Sequence, residues 1–144
     1  MNLKNYTSEI SASRSMARIE ALLVEAGASD IAKSYVDGTC TAIRFRMNIN
    51  GSHIFFKLPA NVNACFDVMW KEVKRPQPDT KKRIQDQSNR TAWKIVSDWV
   101  EIQLTMIRLE QAKPLQVFLP YVWNESNDET LFERIESNQK LLSW

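Results

Sequence analysis

Asparagine followed by glycine at positions 50 and 51 is the feature that most narrows what this chain can fold into. The pair suits the two central residues of a type I′ turn, both of which need a positive φ. On either side lie TAIRFRMNI and SHIFFKLP, two segments that alternate apolar and polar residues. A two-residue turn fixes the register of the strands it joins. Counting outward, Met47 faces Ile54, Phe45 faces Phe56 and Ile43 faces Leu58, so one face is apolar and belongs on the core. The opposite face carries Asn48 with His53, Arg46 with Phe55, and Arg44 with Lys57. It is polar, cationic and aromatic at once.

Other elements follow from spacing. Met16, Ile19, Leu22, Leu23 and Ala26 recur with a helical period, with serines ahead as N-caps and Gly27 behind as a stop. Ile31 to Val36 reads as a first strand that turns at Asp37-Gly38. Pro59 ends the third strand, and Asn61 is placed to cap a helix with Ala64, Val68 and Val73 directed inward. RPQPDTKKRIQDQSNR, from 75 to 90, reads as an exposed basic connection. Residues 92 to 109 form a long helix on which Lys94, Asp98, Glu101, Thr105 and Arg108 make one wet stripe. Nearly everything off that stripe is apolar, so the spacing predicts a helix buried over most of its circumference. Pro114 breaks or kinks it, and Pro120 keeps LQVFLPYVW from being one regular helix. A short helix closes the chain. The class is α+β: helix, three-stranded antiparallel sheet, helix, long buried helix, short C-terminal helix, in one domain spanning 1–144.

Little in the composition points to a reaction. A single histidine, His53, and two separated cysteines, Cys40 and Cys65, make no metal-ligand pattern and no nucleophile with a base beside it in sequence. Asp98 and Glu101 share a helical face with Lys94 and Arg108, which reads as a paired, solvated stripe. The three glycines stand alone, so no loop of consecutive amides cradles a phosphate. We therefore expect no enzyme, no cofactor and no metal. MNLKNYTSEI lacks an apolar run and no segment has the length of a membrane span, so a cytoplasmic protein with reduced thiols is expected.

Charge gives one direction. Residues 1–90 hold 14 Lys/Arg against 9 Asp/Glu, and residues 91–144 hold 5 against 8. The basic part contains the hairpin face with Arg44, Arg46, Lys57, Phe55 and His53, and the connection with Lys74, Arg75, Lys81, Lys82 and Arg83. Cations that meet phosphates beside rings that stack on unpaired bases are what single-strand binding requires. Alternating arginines also keep a sheet face wet, and an exposed hairpin edge can pair two chains.

Five stretches carry a resemblance: Tyr6-Thr7-Ser8-Glu9-Ile10-Ser11, Leu58-Pro59-Ala60-Asn61-Val62, the run Ala92 to Glu101, Val117-Phe118-Leu119-Pro120-Tyr121, and Thr130-Leu131-Phe132-Glu133. In this order the chain resembles a widespread group of small proteins of bacteriophages, prophages and other mobile elements. The resemblance implies an accessory protein acting inside a bacterial cell, and it carries over no catalytic residue. Two expectations follow. The first is a non-enzymatic nucleic-acid-binding protein that uses the hairpin face. The second is an anti-defence protein that inhibits a host protein or sequesters a nucleotide signal, using the apolar segment Leu115 to Trp123 as a patch or pocket wall.

Overall fold

In the computed structural model, which describes residues 2–143, Asn50 and Gly51 have φ angles of 53° and 85°. Both lie in the left-handed region that a type I′ turn demands. Asp37 and Gly38 repeat the device, at 51° and 79°. The two turns join β1 (Ser29–Val36), β2 (Thr39–Ile49) and β3 (Ser52–Pro59) into an antiparallel sheet of order β1-β2-β3. Register across the second hairpin is as counted: Met47 opposite Ile54, Phe45 opposite Phe56, Ile43 opposite Leu58. All but Ile54 of these six are buried. The first strand begins two residues before the expected Ile31, and its register shifts between Ser29 and Ala32, where Asp30 takes a φ of 53°.

The chain divides into two compact units, Met1–Leu22 with Ala60–Ile102 and Leu23–Pro59 with Gln103–Trp144. Residues of α1 (Ala12–Glu25) and α3 (Thr80–Arg108) belong to both.

In the first unit, Ser11 Oγ accepts the Arg14 amide at 3.2 Å and starts α1, which buries Ala12, Ser15, Met16 and Ile19 at helical spacing. Asn61 caps α2 (Val62–Lys71) by accepting the Ala64 amide at 3.0 Å. Cys65 is the buried residue of that helix; Ala64, expected to point inward, is exposed, and Val68 is half-buried. Residues 5–8 are strapped to α3. Thr91 Oγ1 donates to the Asn5 carbonyl at 2.9 Å, and Gln87 Nε2 and Arg90 Nε donate to the Ser8 carbonyl at 3.0 and 3.3 Å. Asn5 Nδ2 in turn donates to Asp98 Oδ2 at 2.9 Å.

The basic stretch 75–90 is not all connection. α3 already begins at Thr80, which leaves a linker only up to Asp79. Helix-favouring Lys, Arg and Gln, together with the i,i+4 pairs Arg83–Asp79 and Lys82–Asp86, support the early start. Its inward strip in this unit is Thr80, Ser88, Thr91, Ala92, Trp93, Ser97 and Val100, mostly small and hydroxylated, so hydrophobic spacing does not reveal it. Elsewhere the helix is less covered than its composition predicts: Ile95, Val96 and Trp99 are half-buried and Ile102 is 56% exposed.

In the second unit, α1 ends as its glycine anticipates. Gly27 has a φ of 99°, its amide bonds to the Val24 carbonyl at 3.0 Å and the Ala28 amide to Leu23 at 2.9 Å, a Schellman pair. Ala26 is the capping residue and is exposed, not inward. α3 ends by the same motif at Glu110, with a φ of 59° and bonds from Glu110 to Ile107 and Gln111 to Met106. Pro114 therefore neither breaks nor kinks α3; it opens α4 (Pro114–Phe118), where its missing amide costs nothing. Phe118 reaches the apolar sheet face. Its ring meets Phe45 edge-on at 5.4 Å and Phe56 at 5.8 Å, while Phe45 and Phe56 stack at 5.1 Å. All three are fully buried. Each such pair adds about 0.5–1.5 kcal/mol beyond the area it hides. A 3-10 turn, Leu119–Tyr121, leads to the short strands β4 (Trp123–Asn124) and β5 (Glu129–Thr130), then to α5 (Leu131–Ser137) and a last 3-10 turn, Gln139–Leu142. Thr130 and Glu133 form a reciprocal capping box on α5.

Candidate nucleic-acid interface

The polar face of the hairpin is not bare. Val122 bridges to Phe56, and this brings the β4–β5 hairpin onto the β3 side of the sheet. Trp123 lies against the two central cations: Arg44 Cζ is 5.2 Å and Lys57 Nζ 5.9 Å from its ring centroid, both within cation–π range. Asp128, in the turn between β4 and β5, accepts Lys57 Nζ at 2.8 Å and Trp123 Nε1 at 2.7 Å on the same oxygen. The Lys57 hydrogen bond first, and that of Trp123 second, hold the Asp128 carboxyl below its usual range. Arg46 is engaged as well, by Asp30 at 2.7 Å and Ser29 Oγ at 3.3 Å. Arg44 Nε is buried without a hydrogen-bond partner, and its guanidinium lies over the indole. His53 is exposed, and Phe55 is 42% exposed.

The structure thus brings together all five hairpin residues of the expected site, and adds Trp123 and Asp128, which sequence reasoning had not placed there. Between Phe55 on β3 and Arg134 on α5 runs a groove of about 490 Å3, with Trp123, Asn124, Asn127 and Glu129 among its walls. Lys74, Arg75, Lys81, Lys82 and Arg83, the other half of the expected site, belong to the first unit and are all exposed. The last three occupy the first turn of α3, the end of a helix that is already positive. Lys82 is paired with Asp86 at 2.6 Å, and Arg83 with Asp79 at 3.3 Å.

The segment Leu115 to Trp123 divides its labour. Phe118 covers the core, whereas Leu119 and Pro120 line an apolar groove of about 410 Å3 with Leu131, Phe132, Ile135 and Leu142.

Among the described residues no three His, Cys, Asp or Glu side chains gather as a metal site, and no helix is long and apolar enough to cross a membrane. Both cysteines are buried, and burial pushes the Cys65 thiol up against the opposing hydrogen bond with Ser88. Asp98 is not set up as a ligand: burial raises its carboxyl, but hydrogen bonds from Lys94 at 2.6 Å and Asn5 outweigh this and hold it low.

What fold and surface define is a class, an α+β protein with a cation–indole cluster and two grooves. Comparison with protein-family models, curated proteins and solved structures finds no match.

Proposed function

We propose that the protein is a non-enzymatic accessory protein that binds nucleic acid, single strands in preference, through the hairpin face and the β4–β5 hairpin laid against it. The carrying observation is the exposed ring of Phe55 beside a cluster in which Arg44 and Lys57 flank Trp123. An aromatic platform next to cations favours unpaired bases over duplex, because only unpaired bases offer a π-face. The test is fluorescence anisotropy with labelled single- and double-stranded oligonucleotides across a salt series. With about three phosphates neutralised, single-strand affinity falls about 20-fold between 50 and 200 mM salt. A flat salt response, or equal affinity for duplex, argues against the proposal.

A second reading is an interaction protein whose host partner occupies the apolar groove between the Leu119–Tyr121 turn and α5. Leu119, Phe132 and Leu142 are exposed large apolar side chains along it, which supports contact with protein more than with phosphate. A complex that survives high salt and nuclease on size exclusion favours this reading over the first.

A further inference from the structure

We infer that the groove between Phe55 and Arg134 receives one unpaired nucleotide, its base lying on Phe55, its phosphate on Arg134, and that the site prefers bases bearing an amino group. This rests on the nucleic-acid reading and makes it specific.

Most cations of this surface are already engaged. Of the three on the hairpin face, Arg46 is paired with Asp30, Lys57 with Asp128, and Arg44 lies against the Trp123 ring. An anion meeting Arg46 or Lys57 competes with a carboxylate that is already there. Arg134 has no ion pair or side-chain hydrogen bond among the described residues, and its side chain lines the groove. A cation here that neither a carboxylate nor a ring already engages is therefore Arg134, on α5, while the strand cations meet phosphate only in exchange for their present partners.

The rings sort the same way. Phe45, Phe56 and Phe118 satisfy one another in the core, and Trp123 is taken by two cations and a carboxylate. Phe55 makes no ring contact among the described residues and stands on the groove wall. A groove of about 490 Å3 falls within the range of roughly 300–1,000 Å3 common for small-ligand sites.

Polar groups on the walls define the base. Asn124 Oδ1 is occupied by the Ser126 amide at 2.9 Å, which leaves the Asn124 amino group to donate. Asn127 Nδ2 donates to Glu129 Oε2 at 3.1 Å, which leaves the Asn127 carbonyl and the second Glu129 oxygen to accept. The Asn124 amino group and the second Asn127 N–H remain as donors, while Glu125 and Glu129 put two carboxylates on the wall, which accept from an exocyclic amine and turn phosphate away, towards Arg134. Adenine and cytosine meet that pattern; uracil and thymine, with carbonyls in the same place, do not.

The test uses isothermal titration calorimetry with AMP, CMP and UMP, and anisotropy with labelled oligo(dA) and oligo(dT), on the full chain. AMP and CMP bind at least fivefold tighter than UMP. Arg134→Glu and Phe55→Ala each lose about tenfold or more for mononucleotide and oligonucleotide alike, with unchanged circular dichroism. Glu129→Gln narrows the gap between CMP and UMP. If the wild type binds oligonucleotides with a steep salt slope while both groove variants bind equally well, the groove assignment is overturned and the broader nucleic-acid reading stands. If AMP and CMP bind but no oligonucleotide does, the groove assignment stands and the broader reading falls. If neither ligand binds, both fall.

Discussion

Lys57 and Asp128, 71 residues apart in the chain, meet at 2.8 Å, and the same Asp128 oxygen takes the Trp123 indole N–H. One carboxylate thus fixes the C-terminal hairpin to β3 and neutralises a cation of the candidate interface. Its removal separates those two roles. Asp128→Asn keeps the shape and abolishes the charge, so low-salt oligonucleotide affinity rises a few-fold and the salt slope steepens. Stability by urea titration drops by no more than about 1 kcal/mol, since the Asp128 side chain is 65% exposed. Unaltered affinity and slope would remove Lys57 from the interface.

Acid sensitivity follows from two carboxylates. Asp98 and Asp128 both titrate below the ordinary value of 3.8 in the folded protein. Folding is therefore favoured by their ionisation above that pH, and this contribution is lost as pH falls through the lower folded values. Melting temperature should stay level from neutrality to about pH 4 as far as these two groups are concerned, then fall, and Asp98→Asn should flatten the fall.

Replacing a ring of the aromatic trio tests the sheet's core. Phe118→Ala removes the side chain that α4 packs against the stacked pair Phe45 and Phe56, and should cost about 3–5 kcal/mol in chemical denaturation. A loss under about 1 kcal/mol would mean that α4 contributes little to the second unit.

Two backbone substitutions carry opposite signs. A Cβ on Gly51 would meet nothing within 4 Å, so Gly51→Ala is opposed by the positive φ alone. It should destabilise by about 1–2 kcal/mol. Glu110 already bears that strain at a φ of 59°, and Glu110→Gly should stabilise by up to about 1 kcal/mol, read as a shift in thermal midpoint.

Charge reversal at the hairpin is the broadest check on the interface. The double variant Arg44→Glu, Arg46→Glu should lose single-strand binding by more than tenfold while its circular dichroism stays native. Native binding by that variant rules out this face.

Legibility in the sequence tracked how local the cause was. The Asn50-Gly51 turn and the period-2 pattern beside it made six pairs of the hairpin readable, all of them in the observed register, because turn geometry and side-chain alternation act over a few residues. The first helix and its Gly27 stop were legible for the same reason. The start of α3 was not: its buried strip is Thr80, Ser88, Thr91 and Ala92, which hydrophobic spacing passes over. Nor was the end of α3, where a glutamate occupies the position that a glycine usually marks. At the candidate site the strand residues could be read, but Trp123, Asp128 and Arg134 arrive by tertiary contact from about 70 residues downstream, and no local signal announces them.

The strap of residues 5–8 across α3 has a consequence for how the chain acquires its structure. The Asn5 carbonyl waits for a hydroxyl 86 residues away, and the Ser8 carbonyl for donors 79 and 82 residues away. Local turns, with the Tyr6 amide on Leu3 and the Ser8 amide on Asn5, shape the segment, but its attachment to α3 needs residues far downstream. Closing a loop of that span carries an entropic cost that the hydrogen bonds and packing of the strap offset.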